Sequence, residues 1–164
     1  MNSVTYKPNG VEHFKMVSSF DNLFLFLETF NPTIKVYACD SQIDEREETV
    51  TMTDSTVFFV KDAQKHDVIN HWQEHLFEKY HPEERSADSA IFFSIRPATH
   101  DFHSDHESVH LVGLFGKTVY RIYTDNGTEE FLLQSGDYLF IPRGVPHRAM
   151  SLTPRAVLST GFFL

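Results

Sequence analysis

The sequence predicts a small β-barrel or sandwich with helices on one side, and three observations carry that expectation. From Ala90 onward, short apolar stretches recur between turn signals. Ahead of them lies a region of mixed helical and strand character. No repeat, low-complexity tract or Pro/Gly linker divides the 164 residues, so the chain reads as a single domain. Within it, residues 1–89 form a helical and strand extension, and residues 90–163 form the barrel core.

Ser18-Ser19-Phe20-Asp21-Asn22 carries the capping residues of a short helix reaching Phe30, where Asn31-Pro32 stops it. Thr33 to Cys39 reads as a strand, Asp40 to Glu48 as an acidic loop and Ser55 to Val60 as a second apolar strand. Asp62 is the expected cap of a longer helix, with Val68, Trp72, Leu76 and Tyr80 as one buried stripe and His81-Pro82 as its end. In the second half, Ala90 to Ile95 and Ser108 to Phe115 read as strands, the latter closed by Gly116. Thr118 to Tyr123 runs into Asp125-Asn126-Gly127, a hairpin signal, and Glu130 to Leu133 returns. Tyr138 to Ile141 and Ala156 to Phe163 complete the set.

Composition excludes several classes. Lys plus Arg number 14 against 23 Asp plus Glu, a net charge of −9, and so acidic a surface repels phosphate backbones, which argues against nucleic-acid binding. No apolar run approaches a membrane span, and the first residues lack the basic and apolar blocks of a signal peptide. The single cysteine, Cys39, can form neither an internal disulfide nor a cysteine-based zinc site, which fits a reducing cytoplasm; it reads as a small buried residue. Sixteen phenylalanines suggest a wide, ring-lined interior. The oddity is histidine: ten in all, four of them between residues 100 and 110.

The sharpest pattern is Gly136-Asp137-Tyr138-Leu139-Phe140-Ile141-Pro142-Arg143-Gly144-Val145-Pro146-His147: a turn, an apolar strand, a Pro-x-Gly corner and a histidine. Upstream lies His103-Ser104-Asp105. Residues two apart in an extended segment face the same way, so His103 and Asp105 can both point into a barrel mouth. His147, from a strand across the barrel, completes two imidazoles and one carboxylate, a set that leaves open positions on a metal and suits non-haem Fe(II). Read singly, His147 is a satisfied histidine and His103-Ser104-Asp105 a solvated loop. A rival pattern, His71-Trp72-Gln73-Glu74-His75, spells the H-x-x-E-H of a zinc peptidase. The buried stripe through Trp72 and Leu76 leaves Glu74 on the far side of that helix, so a solvated face is expected there.

Gly136 to His147 resembles the second motif of the cupin superfamily, Gly-x5-Pro-x-Gly-x2-His, at every marked position. His103-x-Asp105 with His147 is similar to the Jumonji-C (JmjC) and related Fe(II)/2-oxoglutarate oxygenases, and Leu139 to His147 looks especially like the Jumonji-type ribosomal oxygenases. The resemblance covers residues 90–163 and implies a mainly β fold, the double-stranded β-helix or jelly-roll barrel, with N-terminal helices. It further implies Fe(II) held by His103, Asp105 and His147, with 2-oxoglutarate as co-substrate in a dioxygenase or hydroxylase reaction.

Two positions depart from that pattern. Jumonji-type enzymes place a Lys or Arg two residues after the strand-ending glycine to hold the 2-oxoglutarate tail; here Thr118 stands there and the cation is one residue early, at Lys117. A one-residue offset turns a strand side chain to the opposite face. Arg155, a fork-shaped donor on an apolar strand, is therefore the expected 2-oxoglutarate anchor, with Thr118 adding a hydroxyl; its alternative is a buried structural ion pair. The second departure is His110, five residues beyond Asp105, expected either as a substrate contact or as a fourth metal ligand. The latter would favour the alternative function, a metal-binding cupin that does not use 2-oxoglutarate. A metal-free interaction cupin is the third reading. The substrate is not legible, and dimerisation through the N-terminal half is the expected route to a larger platform.

Overall fold

The structure, a computed structural model, describes residues 3–163 apart from 12–13, 15–16, 18, 30–31, 33, 39–40, 43–55 and 85. The expected strand through Cys39, the acidic loop and Cys39 itself fall wholly or partly outside the described residues. In chain order the elements are β1 (Thr5–Lys7), α1 (Phe20–Glu28), β2 (Ile34–Ala38), β3 (Ser41–Gln42), β4 (Thr56–Val60), α2 (Asp67–Tyr80), β5 (Ser86–Ser94), β6 (Ser108–Phe115), β7 (Thr118–Thr124), β8 (Gly127–Leu133), β9 (Tyr138–Ile141), β10 (His147–Ser151) and β11 (Arg155–Phe163). They form two antiparallel sheets, one of order β1-β9-β6-β11-β5-β4-β2-β3 and one of order β10-β7-β8.

The central strands of the large sheet are buried on both faces, and their side chains divide between two cores. On β6, Val109 and Leu111 face the small sheet, where they cluster with its Tyr120, Ile122 and Ala149 and with Leu139 and Val157 of their own sheet. Val112, Leu114 and Phe115 face the other way, against Leu23, Phe26, Ile69, Trp72 and Leu76 of the helices. Period-2 alternation between two apolar sides explains why Ser108–Phe115 reads as an unbroken apolar run. This is the jelly-roll expected, with the helices covering the outer face of its larger sheet.

Gly113 shows how the layers close. A β-carbon there would meet Gln134 O at 2.0 Å, because the β8–β9 corner crosses β6 at this point, with Gly113 N donating to Asp137 O and Gly136 N to Gly113 O. Asp137 holds that corner. Its buried carboxylate accepts from Asn9 N at 2.9 Å, Gln134 N at 2.9 Å and the Tyr6 hydroxyl at 3.1 Å, and so ties down β1, a strand with no sequence signal.

Both helices keep their expected places with altered details. Ser19 caps α1, accepting from Asn22 N at 3.2 Å. On the second helix the cap is His66, whose Nδ1 accepts from Val68 N, and not Asp62, which sits in the left-handed region and opens a short 3-10 turn at Ala63–Lys65. The buried stripe is Ile69, Trp72 and Leu76. A strict i, i+4 series drifts about 40° per step around a helix, so Val68 and Tyr80, at the ends of the expected stripe, lie only half-buried. Among the described residues no helix is long and apolar enough to cross a membrane.

His110 lies in this framework as well. It is fully buried on the helix-facing side of β6, with Nε2 2.6 Å from His81 Nε2 and Nδ1 2.7 Å from the Tyr138 hydroxyl. Burial, followed by the neighbouring His81, pushes its pKa down from 6.5 to about 3, so the folded protein holds it neutral. The unfolded chain takes up that proton as pH falls below 6.5 and the folded chain does not, so His110 erodes stability progressively from pH 6.5 toward 3. The melting temperature is expected to fall between pH 6.5 and 5, above the ordinary carboxylate range, and His110→Phe should flatten that slope; an unchanged slope by calorimetry would remove His110 as its source.

Candidate metal centre and its cavity

The centre is built where two distant segments pair. His103 and His147 stand opposite each other in an antiparallel bridge, with His103 N donating to His147 O at 3.0 Å and His147 N to His103 O at 2.8 Å. Four residue steps separate Thr99 from His103, but only three separate Met150 from His147 on the partner strand. The extra residue is a β-bulge, a device that re-aims side chains next to functional sites. His147 is thus the immediate neighbour of His103 and not a residue from across the barrel. Asp105 follows where the chain leaves this pairing, its carbonyl accepting from Gly144 N at 2.8 Å. Gly144 has φ +74°, a left-handed conformation that glycine adopts without strain.

The side chains converge. His103 Nε2 lies 3.8 Å from one oxygen of Asp105, and His147 Nε2 lies 3.4 Å from the other. His103 Nδ1 is 2.9 Å from Asp101 O, and His147 Nδ1 is 3.0 Å from Val145 O. A carbonyl only accepts, so both protons sit on Nδ1 and both Nε2 lone pairs face the carboxylate, the outer-shell arrangement that orients metal-binding imidazoles. Burial lowers the pKa of His147, which keeps it neutral. One ligand atom from each of the three residues lies within 4.8 Å of the others, and they form the one such group among the described residues. Ligands about 2.1 Å from a shared ion stand roughly 3–3.5 Å apart, so a small contraction brings this set onto a divalent cation. The donor set fits.

His71 and Glu74 of the rival motif stand 4.0 Å apart on a solvated helix face, His71 at 90 % exposure.

The three residues open onto a cavity of about 510 Å³. Its apolar wall comes from Val57 and Phe59 of β4, Phe92 of β5 and Phe102 of the bulge, and Glu107 and Ser159 add polar groups. At its inner part lies Arg155, 2 % exposed. Arg155 Nε has no hydrogen-bond partner, and no carboxylate pairs with the guanidinium among the described residues. Burial pulls the Arg155 pKa down, and the nearby Tyr120 phenol opposes that. Tyr120 lines the same cavity, its own pKa raised by burial and held back by Arg155. An unpaired buried cation is costly unless an anion joins it.

Other expected site residues lie elsewhere. His110 faces away from the cavity: five residues on from Asp105 falls on the opposite side of β6 from Val109 and Leu111, which line it. It fits neither a fourth ligand nor a substrate contact. Thr118 shares a face with Tyr120 but pairs with Ser151, whereas Ile122 pairs with His147. That places Thr118 four residues, about 13 Å, farther along the barrel than the metal ligands, and it is not among the cavity-lining residues. Lys117 borders a separate shallow depression with Asn9, Asp137 and Thr153. Sequence reasoning missed Tyr120 as a wall residue, although its parity with buried Ile122 was a usable signal. It missed Phe59 and Phe92 because only strand pairing carries them to the site.

Comparison with known proteins agrees with this architecture. Residues 124–164 match the family model described as the JmjC domain. The crystal structure of Escherichia coli ribosomal oxygenase YcfD superposes with a TM-score of 0.74 at 20 % identity, covering 98 % of this chain and 48 % of that one. The fold of this chain is that of the matching half of YcfD. The structure of YcfD in complex with cobalt and 2-oxoglutarate aligns with a TM-score of 0.67 at 20 % identity, over 99 % of this chain and 48 % of that one. The chain spans about half the length of the YcfD chains it matches. No curated protein matches it by sequence.

The geometry predicts uptake of one divalent ion per chain. His147→Ala should abolish stoichiometric uptake, measured by elemental analysis after Mn(II) loading, while circular dichroism stays native. Undiminished metal content in that variant would exclude the three-residue centre.

Proposed function

We propose that this JmjC-type domain is an Fe(II)- and 2-oxoglutarate-dependent oxygenase, with His103, Asp105 and His147 holding the metal and Arg155 anchoring the co-substrate. The observation that carries this reading is the pairing, within one cavity, of a three-ligand centre with a buried arginine that has no anionic partner. Two imidazoles and one carboxylate leave positions open for exogenous ligands, the arrangement of non-haem Fe(II) oxygenases. The cobalt and 2-oxoglutarate found together in YcfD are in keeping with it. When bound, Fe(II) with 2-oxoglutarate supplies the oxygen activation, and the protein supplies binding, orientation and dryness.

Each residue of the chain has a share in this. Arg155, itself buried, offers a guanidinium fork to a carboxylate, and such a charge-assisted pair contributes about 1.5–3 kcal/mol. Tyr120 adds a hydroxyl beside it. His103 and His147, with Nδ1 committed to backbone carbonyls, turn Nε2 toward the metal position without rearranging. The apolar wall of Phe59, Phe92 and Phe102 excludes water from the target's side of the metal. A ferrous centre and a lone cysteine both suit the reducing cytoplasm.

Isothermal titration with Mn(II) in place of iron tests the assignment. Wild type should bind 2-oxoglutarate; Arg155→Ala should weaken it at least about tenfold with metal affinity nearly unchanged, and Lys117→Ala should do little. Damage from Lys117→Ala instead would move the anchor to the other side of the barrel. Absence of 2-oxoglutarate binding in the wild type would leave a metal-binding cupin with another activity.

A further inference from the structure

Outside the cavity, a largely buried polar chain runs from the core to the corner between β9 and β10. Arg143 sits at the corner between β9 and β10, and its guanidinium pairs with the carboxylate of Glu84, on the turn that follows α2. Glu84 is nearly buried, with its backbone N donating to His81 O at 3.1 Å. His81 Nδ1 lies 3.8 Å from Glu84 Oε1, and the His81 ring stacks on Phe162 of β11 at 4.2 Å. Its Nε2 meets His110 Nε2 at 2.6 Å, and His110 Nδ1 meets the Tyr138 hydroxyl at 2.7 Å.

One proton arrangement joins Tyr138, His110 and His81 with both imidazoles neutral, and leaves Glu84 Oε2 as the one atom of this polar chain without a hydrogen-bond partner. Tyr138 donates its hydroxyl to His110 Nδ1, His110 Nε2–H donates to His81 Nε2, and His81 Nδ1–H points to the Glu84 carboxylate. Glu84 is thus anchored toward the core on one side and grips Arg143 on the other.

What Arg143 holds in place is the Pro142-Arg143-Gly144-Val145 corner, which touches two of the three ligands. Gly144 N donates to Asp105 O, and Val145 O accepts from His147 Nδ1. A third link, Arg143 N to Ser108 Oγ at 3.4 Å, joins the corner to the start of β6. Neither Glu84 nor Arg143 is among the residues lining the cavity.

We propose that Glu84 and Arg143 are positioning residues for the metal centre, an ion pair that sets the corner from which Asp105 and His147 take their orientation. The inference rests on the metal reading above and goes beyond it by making metal affinity depend on a helix-side carboxylate that touches no ligand atom. It also gives the buried His81–His110–Tyr138 chain a task, as the anchor that keeps Glu84 from following Arg143 into solvent. Outer-shell partners of metal ligands typically govern about ten- to a hundredfold in affinity, and a link removed by one further residue belongs at the lower end.

The test is Co(II) titration of the whole chain, followed by the visible absorption bands of the bound ion, for wild type, Glu84→Gln, Arg143→Met and the double variant. Glu84→Gln is close to isosteric, and Arg143 is a third exposed, so both variants should fold, as circular dichroism would check. Each single change should weaken Co(II) binding about tenfold and shift the bands. The double variant should be no worse than the poorer single, because the two residues act as one unit. Arg143→Lys, which keeps the charge and loses the planar fork, should fall between wild type and Arg143→Met. Singles that melt at lower temperature yet bind Co(II) with unchanged affinity and bands would overturn the proposal, leaving an ordinary structural ion pair. Additive losses in the double variant would overturn it too. A wild type that shows no Co(II) bands would instead overturn the metal reading, and this inference with it.

Discussion

The candidate centre depends on one antiparallel bridge. Two backbone hydrogen bonds between His103 and His147 join segments far apart in sequence and set two imidazoles side by side, ring centroids 4.6 Å apart. These bonds are made by the backbone alone, so the pairing is in place without a metal and presents the ligands in advance. The bulge before His103 and the glycine at 144 are local deviations from regular strand geometry that turn this pairing into a convergent site. A regular ladder through the same residues would alternate side chains between the two faces without re-aiming them.

The same economy of placement separates the two buried polar systems of the barrel. On the cavity side of the large sheet lie Arg155, Tyr120 and the metal ligands; on the helix side lie His81, His110 and Glu84. Strand parity keeps them apart, since His110 on β6 points opposite to Val109 and Leu111. In one, a buried cation has no carboxylate among the described residues and Arg155 Nε lacks a partner; in the other, both nitrogens of His110 are bonded and Glu84 pairs with Arg143. A buried cation without an anion, facing a cavity, marks a place made for a ligand, whereas a charge already paired with its counter-ion marks structure. The two systems meet at the β9–β10 corner, through Arg143 on one side and Gly144 and Val145 on the other.

Much of this was legible from residue order. The spans of β6 and β9 were read without error, because each is a clean apolar run bounded by a turn signal, and the Asp125-Asn126-Gly127 hairpin follows from turn chemistry alone. Less was legible where the signal was short or shared. Thr5–Lys7 is too brief to announce a strand and exists because Asp137 and β9 receive it. His147–Ser151 carries Arg and Ser among its few apolar residues and is a strand because β7 lies alongside. Asp62 has the chemistry of a cap, yet the chain turns once more before α2, and His66 takes the role.

The sequence by itself determined the donor types, their i, i+2 spacing and the corner that carries His147, because these are local relations between neighbouring residues. It also determined that Arg155 would lie on an apolar strand and so need an anion. Only the tertiary structure decided that His103 and His147 are direct neighbours, that Tyr120 and not Thr118 reaches the cavity with Arg155, and that His110 belongs to the core. Which side of a strand faces the ligand depends on register and bulges, and those are fixed by pairing with segments that residue order does not bring together.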